Sequence, residues 1–462
     1  MTSETSATPP LPPPQPPRPL WRVFLAFVGP MLASNILQAL SGTINNVFIG
    51  QMLGVRAMAA VSSFFPVVFF AVSFVIGLGA GSSVLIGQAW GRRDPDKVKE
   101  IAGTALCAGV LLGLAVALVG LLFTPELMKT LGTPADILSD ATMYARVMLI
   151  SLPGIFLFLL VTSMMRGVSD TVTPLLALIL STALGLVLTP ALILGWGGLP
   201  SAGIASGAWA SPVSNWCALV WLGWRMRRRG HPLAPDAGLW RHLRIDPALL
   251  KKVLQIGIPT AVQVMSIAIA EVALLSMVNG FGSDATAAYG AINQIVAYVQ
   301  FPAISIAITS SILGAQAIGA GRSERLGAIA KTGLLMNLTL TGGLVVIAYL
   351  ASRTVIGLFI TSGPVIELAQ SLLHIMLWSI VIMGMAGVLS GVMRASGTVL
   401  FPTLISIGCI ALIEVPVAWI FSHRIGVTGI WIAYPAAFVG MLVCQTLFYQ
   451  LVWKKRAVVK LV

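Results

Sequence analysis

The chain has 462 residues, 57% of them hydrophobic and 9% charged, against about 45–50% and about 25% in an ordinary soluble domain. So few charges cannot cover a water-facing surface, which excludes a soluble fold. A formal net charge of +13 would suit nucleic acid. The basic residues, however, sit between apolar stretches with no groove-reading or base-stacking module beside them, so nucleic acid is not expected as a partner.

In chain order, the first 19 residues hold eight prolines, in PPLPPPQPPRP. They fit neither a cleaved signal peptide nor a helix and read as a disordered, polyproline-like cytoplasmic tail, 1–19. A spacer is expected; an SH3-type ligand is the alternative. About twelve apolar stretches come next, each near the roughly 20 residues that about 30 Å of hydrocarbon requires. They cover about residues 20–45, 57–82, 98–123, 139–163, 173–195 and 201–224, then 249–279, 285–314, 326–350, 365–391, 399–421 and 427–452. The expected organisation is an N-terminal six-helix lobe (20–226), a basic cytoplasmic linker (227–247), a C-terminal six-helix lobe (248–453) and a basic cytoplasmic tail (454–462). With the first helix starting in the cytoplasm, 23 of the 28 basic residues fall inside and five fall outside: Arg56, Lys129, Arg146, Arg353 and Arg424. This asymmetry obeys the positive-inside rule. It predicts a multi-pass plasma-membrane protein with both termini cytoplasmic, in a bacterial inner membrane.

The chain repeats itself. GQAWGRRDPDKVKEIAGTAL around Gly87 matches AQAIGAGRSERLGAIAKTGL around Ala315, placing Gln88 on Gln316 at an offset of 316 − 88 = 228. SMMRGVSDTVTP and GVMRASGTVLFP carry Arg166 onto Arg394 at the same offset, marking these arginines as structural turns. Pro190 and Pro416, at an offset of 226, mark a second pair of breaks. An even number of spans per unit gives both halves the same orientation, related by a pseudo-twofold axis along the membrane normal, with the substrate site between them.

Four cysteines lie singly in different spans and read as packing residues. His231 and His242 in the linker lack the neighbours of a metal site, so neither a metal nor a cofactor is expected. GLGAG at Gly77–Gly81 follows no strand and reads as tight helix packing. No hydrolytic signature and no phosphate-binding loop are present, which argues against an enzyme and against ATP as the direct energy source; an ion gradient remains. Of the acidic residues, Glu271 and Glu414 fall well inside predicted spans. A carboxylate in mid-helix costs about 2.5–3.5 kcal/mol on insertion scales, so it should face the protein interior or a wet cavity. Both are candidates for ion coupling; the alternative is a protonated or hydrogen-bonded carboxyl with no part in transport. Neutral polar side chains enrich the same regions: Asn35, Gln38, Asn45 and Asn46 in the first span, Gln263 in the seventh, and Tyr289, Asn293 and Gln300 in the eighth. Gln38 and Asn45, like Asn293 and Gln300, are seven apart and share a helical stripe. Together they suggest a polar-lined cleft, though interhelical hydrogen bonds explain any one of them. Met383, in a methionine-rich tenth span, adds an adaptable wall.

These motifs resemble the multidrug and toxic compound extrusion (MATE) family over essentially the whole chain after residue 20. The likeness rests on MRGVSDTVTP, on the GQAWGRRD and AQAIGAGR loops, and on LTPALILGWGGLPSAGIASGAW. It implies an antiporter exporting cationic, amphiphilic drugs or toxic compounds, with protons or sodium as the exchanged ion and a monomeric chain as the unit. Where many members carry aspartates this sequence has Asn46 and Thr189, and a tenth-helix aspartate of some members falls on Met383. Glu271 resembles a seventh-helix glutamate of the family, displaced by roughly one turn. Loss of these titratable groups shifts the expected coupling to the C-terminal lobe and favours protons over sodium. Two alternatives are a lipid-linked oligosaccharide flippase of the same superfamily, which would call for basic residues in the cleft, and a non-transporting membrane receptor, which the duplicated build disfavours.

Overall fold

The computed structural model describes residues 19–198 and 203–462; the expected tail 1–19 lies outside them except for Pro19. Among the described residues the regular structure is helical throughout. Ten helices among the described residues are long and apolar enough to cross a membrane. The first, Leu20–Gly91, has 72 residues, about 108 Å at 1.5 Å per residue and more than three times the hydrocarbon thickness. It is two spans: Gly54, at φ 82° and ψ −177°, reverses the chain between residues 20–53 (α1) and 55–91 (α2). The sequence suggests a connection between residues 45 and 57. The helices instead continue to either side of Gly54, because hydropathy marks the thickness of hydrocarbon and not the end of the backbone ladder.

The remaining spans are α3 (Pro95–Leu122), α4 (Leu138–Gly167), α5 (Val172–Leu194), α6 (Ile204–Arg228), α7 (Pro247–Asn279) and α8 (Ser283–Gly319). Then come α9 (326–357), α10 (Gly363–Ala395), α11 (400–425) and α12 (Thr428–Leu451), which complete twelve. The tryptophans, serines and Asn215 of α6 dilute its hydropathy, yet its 25 residues reach about 37 Å. Helix starts follow capping chemistry. Asp94 and Asp246 accept from backbone N–H groups of the first turns of α3 and α7, each with proline next in sequence.

Two lobes of six helices result, and the repeat is written into their backbones. Residues with positive φ recur at the 228-residue offset: Gly54 and Gly282, Arg93 and Gly321, Ser169 and Gly397, Gly198 and Gly426. At the arginine turns, Ser169 N–H donates to Arg166 O and Gly397 N–H to Arg394 O, so both arginines close a helix in the same way. Departures from the repeat lie in the second lobe, where π-helical turns interrupt α9 at Asn337–Thr341 and α11 at Ile410–Glu414.

Each lobe has its own apolar core, one around Phe64, Leu152 and Phe156, the other around Leu274, Ile292 and Trp431. A third core joins them. Phe24, Val28 and Val84 of the first lobe pack with Ile256, Ile312 and Val392 of the second. This shared core lies at the basic end of the molecule, the end that carries Arg92, Arg166, the linker, Arg322 and Arg394.

Candidate functional site

Glu271 lies on α7, about two turns before its end at Asn279. Its Oε2 accepts from the Tyr289 hydroxyl of α8 at 2.5 Å and from the Tyr434 hydroxyl of α12 at 3.2 Å. Asn293 lies one turn beyond Tyr289 on α8. The Tyr289 ring stands edge-on to Trp431, with centroids 5.7 Å apart. Trp431 is fully buried, and its indole N–H has no protein acceptor. Glu414 of α11, 5% exposed, lies on a helix that packs against α7. It ends the π-helical turn, directly before Val415 and Pro416. A wide turn adds one residue to the register and rotates the rest of the helix by about 100°.

Glu271 and two phenols therefore form one hydrogen-bonded cluster inside the second lobe, and the other carboxyl singled out in the sequence, Glu414, lies on the adjoining α11. The salt bridges among the described residues are Lys97–Glu100, Lys99–Asp236 and His231–Asp170. None involves Glu271 or Glu414, so neither carboxyl is ion-paired among the described residues. Burying a charge without such a partner is costly, and a proton or a ligand cation is the simplest compensation. Sequence reasoning missed Tyr434. A phenol inside an apolar span needs an acceptor, but nothing in the sequence indicates that α12 lies against α7.

The polar residues expected to line one cleft divide among four places. Gln38 and Asn45 of α1 border a cavity of about 170 Å³ inside the first lobe, with Ser181, Thr189 and Asn215 around it. There Thr189 donates to Asn45 Oδ1 at 3.2 Å and Ser181 to Asn215 Oδ1 at 2.8 Å. Asn35 crosses between the lobes and donates to Ser305 of α8 at 3.2 Å. Gln263 donates to Ser406 of α11 at 3.1 Å, a hydroxyl that Gln445 of α12 also reaches. Tyr289 belongs to the acidic cluster, and Asn293 lies one turn beyond it on α8. Gln300 is half-buried and Asn46 exposed, while Met383 packs against the second lobe's core. Pro190 lies within α5, without interrupting it.

The lobes close on each other at the basic end through contacts that obey the repeat. Gln88 of α2 donates to Ala395 O at the end of α10, and Gln316 of α8 donates to Gly167 O at the end of α4, both at 2.8 Å. Donors and acceptors are each 228 residues apart. Between them α2 and α8 touch backbone to backbone: a Cβ on Gly91 would collide with Gln316 O, and one on Gly319 would collide with Gln88 O. GLGAG serves the same purpose, with Gly77 against Gly257 O and Gly81 against Val253 O of α7. Residues after α12 also enter this seam. Leu461 N–H donates to Gln88 Oε1 at 2.8 Å, and Lys252 donates to Leu461 O.

The MatE family model matches the chain twice, over residues 30–191 and 259–420, once in each lobe. The probable multidrug resistance protein YoeA of Bacillus subtilis is 40% identical over 461 residues, covering 99% of this chain and all of its own. The multidrug export protein MepA of Staphylococcus aureus is 24% identical over 419 residues, 89% of each chain. Among solved structures, the MATE transporter VcmN of Vibrio cholerae superimposes with a TM-score of 0.88 at 19% identity, covering 95% of this chain and 98% of that one. A MOP superfamily transporter from Pyrococcus furiosus gives 0.85 at 22% identity, with 93% and 95% covered.

Proposed function

The chain belongs to the MatE family of multidrug efflux transporters, and from that premise we propose that it exports organic cations in exchange for protons through the acidic cluster of its second lobe. The observation that carries this reading is the convergence of the Tyr289 and Tyr434 hydroxyls on the half-buried Glu271 carboxyl, with the buried Glu414 on the adjoining α11 and neither acid ion-paired among the described residues. Such a site holds either protons or a cation. Protons arriving from one side discharge the cluster and release the drug; deprotonation on the other side restores the charge that attracts the next one. Exchange then results from competition for the same charge, with the lobes rocking to change the side from which the cluster is reached.

In this reading the basic end faces the cytoplasm, in keeping with the distribution of Lys and Arg. The conformation described is the one closed to the cytoplasm, since the seam at Gln88 and Gln316 is joined. A single chain holds both lobes and forms the transport unit. The chain carries out no covalent chemistry. Polar residues of the first lobe, Gln38 and Asn45 among them, contribute a neutral wall to the drug's path, while Asn35 belongs to the seam.

The test is transport into vesicles reconstituted with the purified chain, with a pH gradient or a sodium gradient imposed separately and ethidium fluorescence followed. A pH gradient should drive ethidium movement, and Glu271→Gln combined with Glu414→Gln should abolish it. Unchanged gradient-driven transport in the double variant would remove the cluster from the mechanism. Transport driven by sodium alone would replace the ion.

A further inference from the structure

Two apolar cavities face outward from the lobes near the basic end, and they meet at one residue. The larger, about 840 Å³, lies among α3, α4 and α6 and is floored by the linker through Leu239, Trp240 and Ile245. The other, about 670 Å³, runs along the start of α7 from Ile245 to Pro259. Ile245 lines both and is 39% exposed. Along α3 the larger cavity extends from Ala102 to Leu111, about 14 Å of helix, which is close to the depth of one leaflet of about 15 Å. Apolar grooves of this depth are shaped for acyl chains. Their junction suits the glycerol of a lipid with two of them.

The junction is built, not a loose crossing of loops. Thr104 of α3 donates to Arg244 O at 3.2 Å and accepts from Asp246 N–H at 3.3 Å, fixing the backbone on both sides of Ile245. The linker lies flat on α3, since a Cβ on Gly103 would collide with His242 O. Basic side chains outnumber acidic ones at the junction. Arg241 and Arg244 are exposed, Lys251 borders the second cavity, and none is ion-paired among the described residues. Of the neighbouring carboxylates, Asp246 caps α7 through Ala248 and Leu249 N–H and lies within range of the Arg244 charge, and Asp236 pairs with Lys99 at 2.7 Å. Basic residues at the cytoplasmic rim of apolar crevices between helices are the recognition chemistry of anionic phospholipid headgroups.

We propose that this place binds one anionic, two-chained phospholipid of the leaflet at the basic end. One acyl chain fills the α3–α4–α6 cavity and the other lies along α7, with the phosphate against Arg244 and Lys251. The first cavity belongs to the N-terminal lobe and the second to the C-terminal lobe, so the lipid touches both across the linker.

The experiment is thermal melting of the full chain in a neutral detergent, titrated with phosphatidylglycerol, phosphatidylcholine or single-chained lysophosphatidylglycerol. Phosphatidylglycerol should raise the melting temperature at roughly thirtyfold lower concentration than phosphatidylcholine, the preference expected of two basic contacts at a membrane surface. The lyso form should act more weakly than its two-chained parent. Arg244→Ala with Lys251→Ala should erase the preference without changing melting in detergent alone. Lys454→Ala with Lys455→Ala, just past the end of α12 and outside the lining of both cavities, should preserve it. Equal effects of phosphatidylglycerol and phosphatidylcholine on the unmodified chain overturn the proposal, and so does an equal loss in both double variants, which would assign the effect to diffuse surface charge. Equal effects of the lyso and two-chained forms overturn the two-groove arrangement.

Discussion

At the scale of single residues, the acidic cluster assigns unequal weight to its two phenols. Tyr289 holds Glu271 at 2.5 Å and Tyr434 reaches the same oxygen at 3.2 Å. A hydrogen bond to a charged group contributes about 1.5–3 kcal/mol, so Tyr289→Phe should slow pH-driven ethidium transport by about tenfold or more. Tyr434→Phe should slow it by less, and the ordering is read from initial rates in the same vesicles. A second prediction concerns His231 in the linker. Burial lowers its pKa below 6.5, while Asp170, 3.5 Å away, pulls it partly back up. Its Nδ1 accepts from Leu233 N–H at 3.1 Å, a bond that the doubly protonated ring cannot make. The folded chain therefore binds fewer protons here than the unfolded chain just below pH 6.5, and stability falls as the pH drops through that value. Melting temperature should decline between pH 7.5 and 5.5, with His231→Gln flattening the slope. Asp236, held below its usual range by hydrogen bonds from Lys99 and Leu239 N–H, loses its stabilising effect only below about pH 4 and does not disturb that window. Legibility varied at this scale. Glu271 and Glu414 stood out because a charge inside an apolar span is conspicuous, whereas Tyr434 resembles any other aromatic in such a span.

At the scale of helices, α2 crosses α8 with backbone against backbone. With Gly319 a Cβ's width from the backbone at Gln88, no side chain fits there while the seam is closed. Gly319→Leu should cost the closed form about 1–3 kcal/mol or more and shift the population toward opening at the basic end. A cysteine introduced at Ala315, buried in the seam against Gly87, should then react faster with a membrane-impermeant maleimide supplied to that side. Unchanged reactivity would mean that α8 merely shifts to accommodate the side chain. The twelve spans were legible because length and apolarity are imposed by the bilayer. The single-residue turn at Gly54 and the π-helical turns of α9 and α11 were not. One extra residue per turn leaves hydropathy unchanged, and only tertiary partners select it. Asn337 illustrates this: its amide donates to Val381 O at 2.8 Å and accepts from Thr341 at 2.9 Å, against a Gly384 whose missing side chain makes the room.

For the molecule as a whole, the repeat read from the sequence returns as a repeat of backbone turns and of contacts between the lobes, while the acidic cluster and both π-helical turns lie in the second lobe. The covalent connection is secondary to the seam. Cleavage at a protease site inserted after Arg229, in an exposed part of the linker, should leave two halves that migrate together in size exclusion, because the shared core and the glutamine bonds remain. Separation of the halves would show that the linker, and not the seam, holds the lobes together. The reciprocity of Gln88 with Ala395 and Gln316 with Gly167 carries a historical consequence. In a dimer of identical subunits, residue i of one copy meets residue j of the other and the same pair recurs with the copies exchanged. The seam keeps that signature of an isologous interface inside a single polypeptide. It is the contact expected of an ancestral six-helix protein that paired with its own copy before the two genes were joined, leaving one copy free to specialise in acid chemistry.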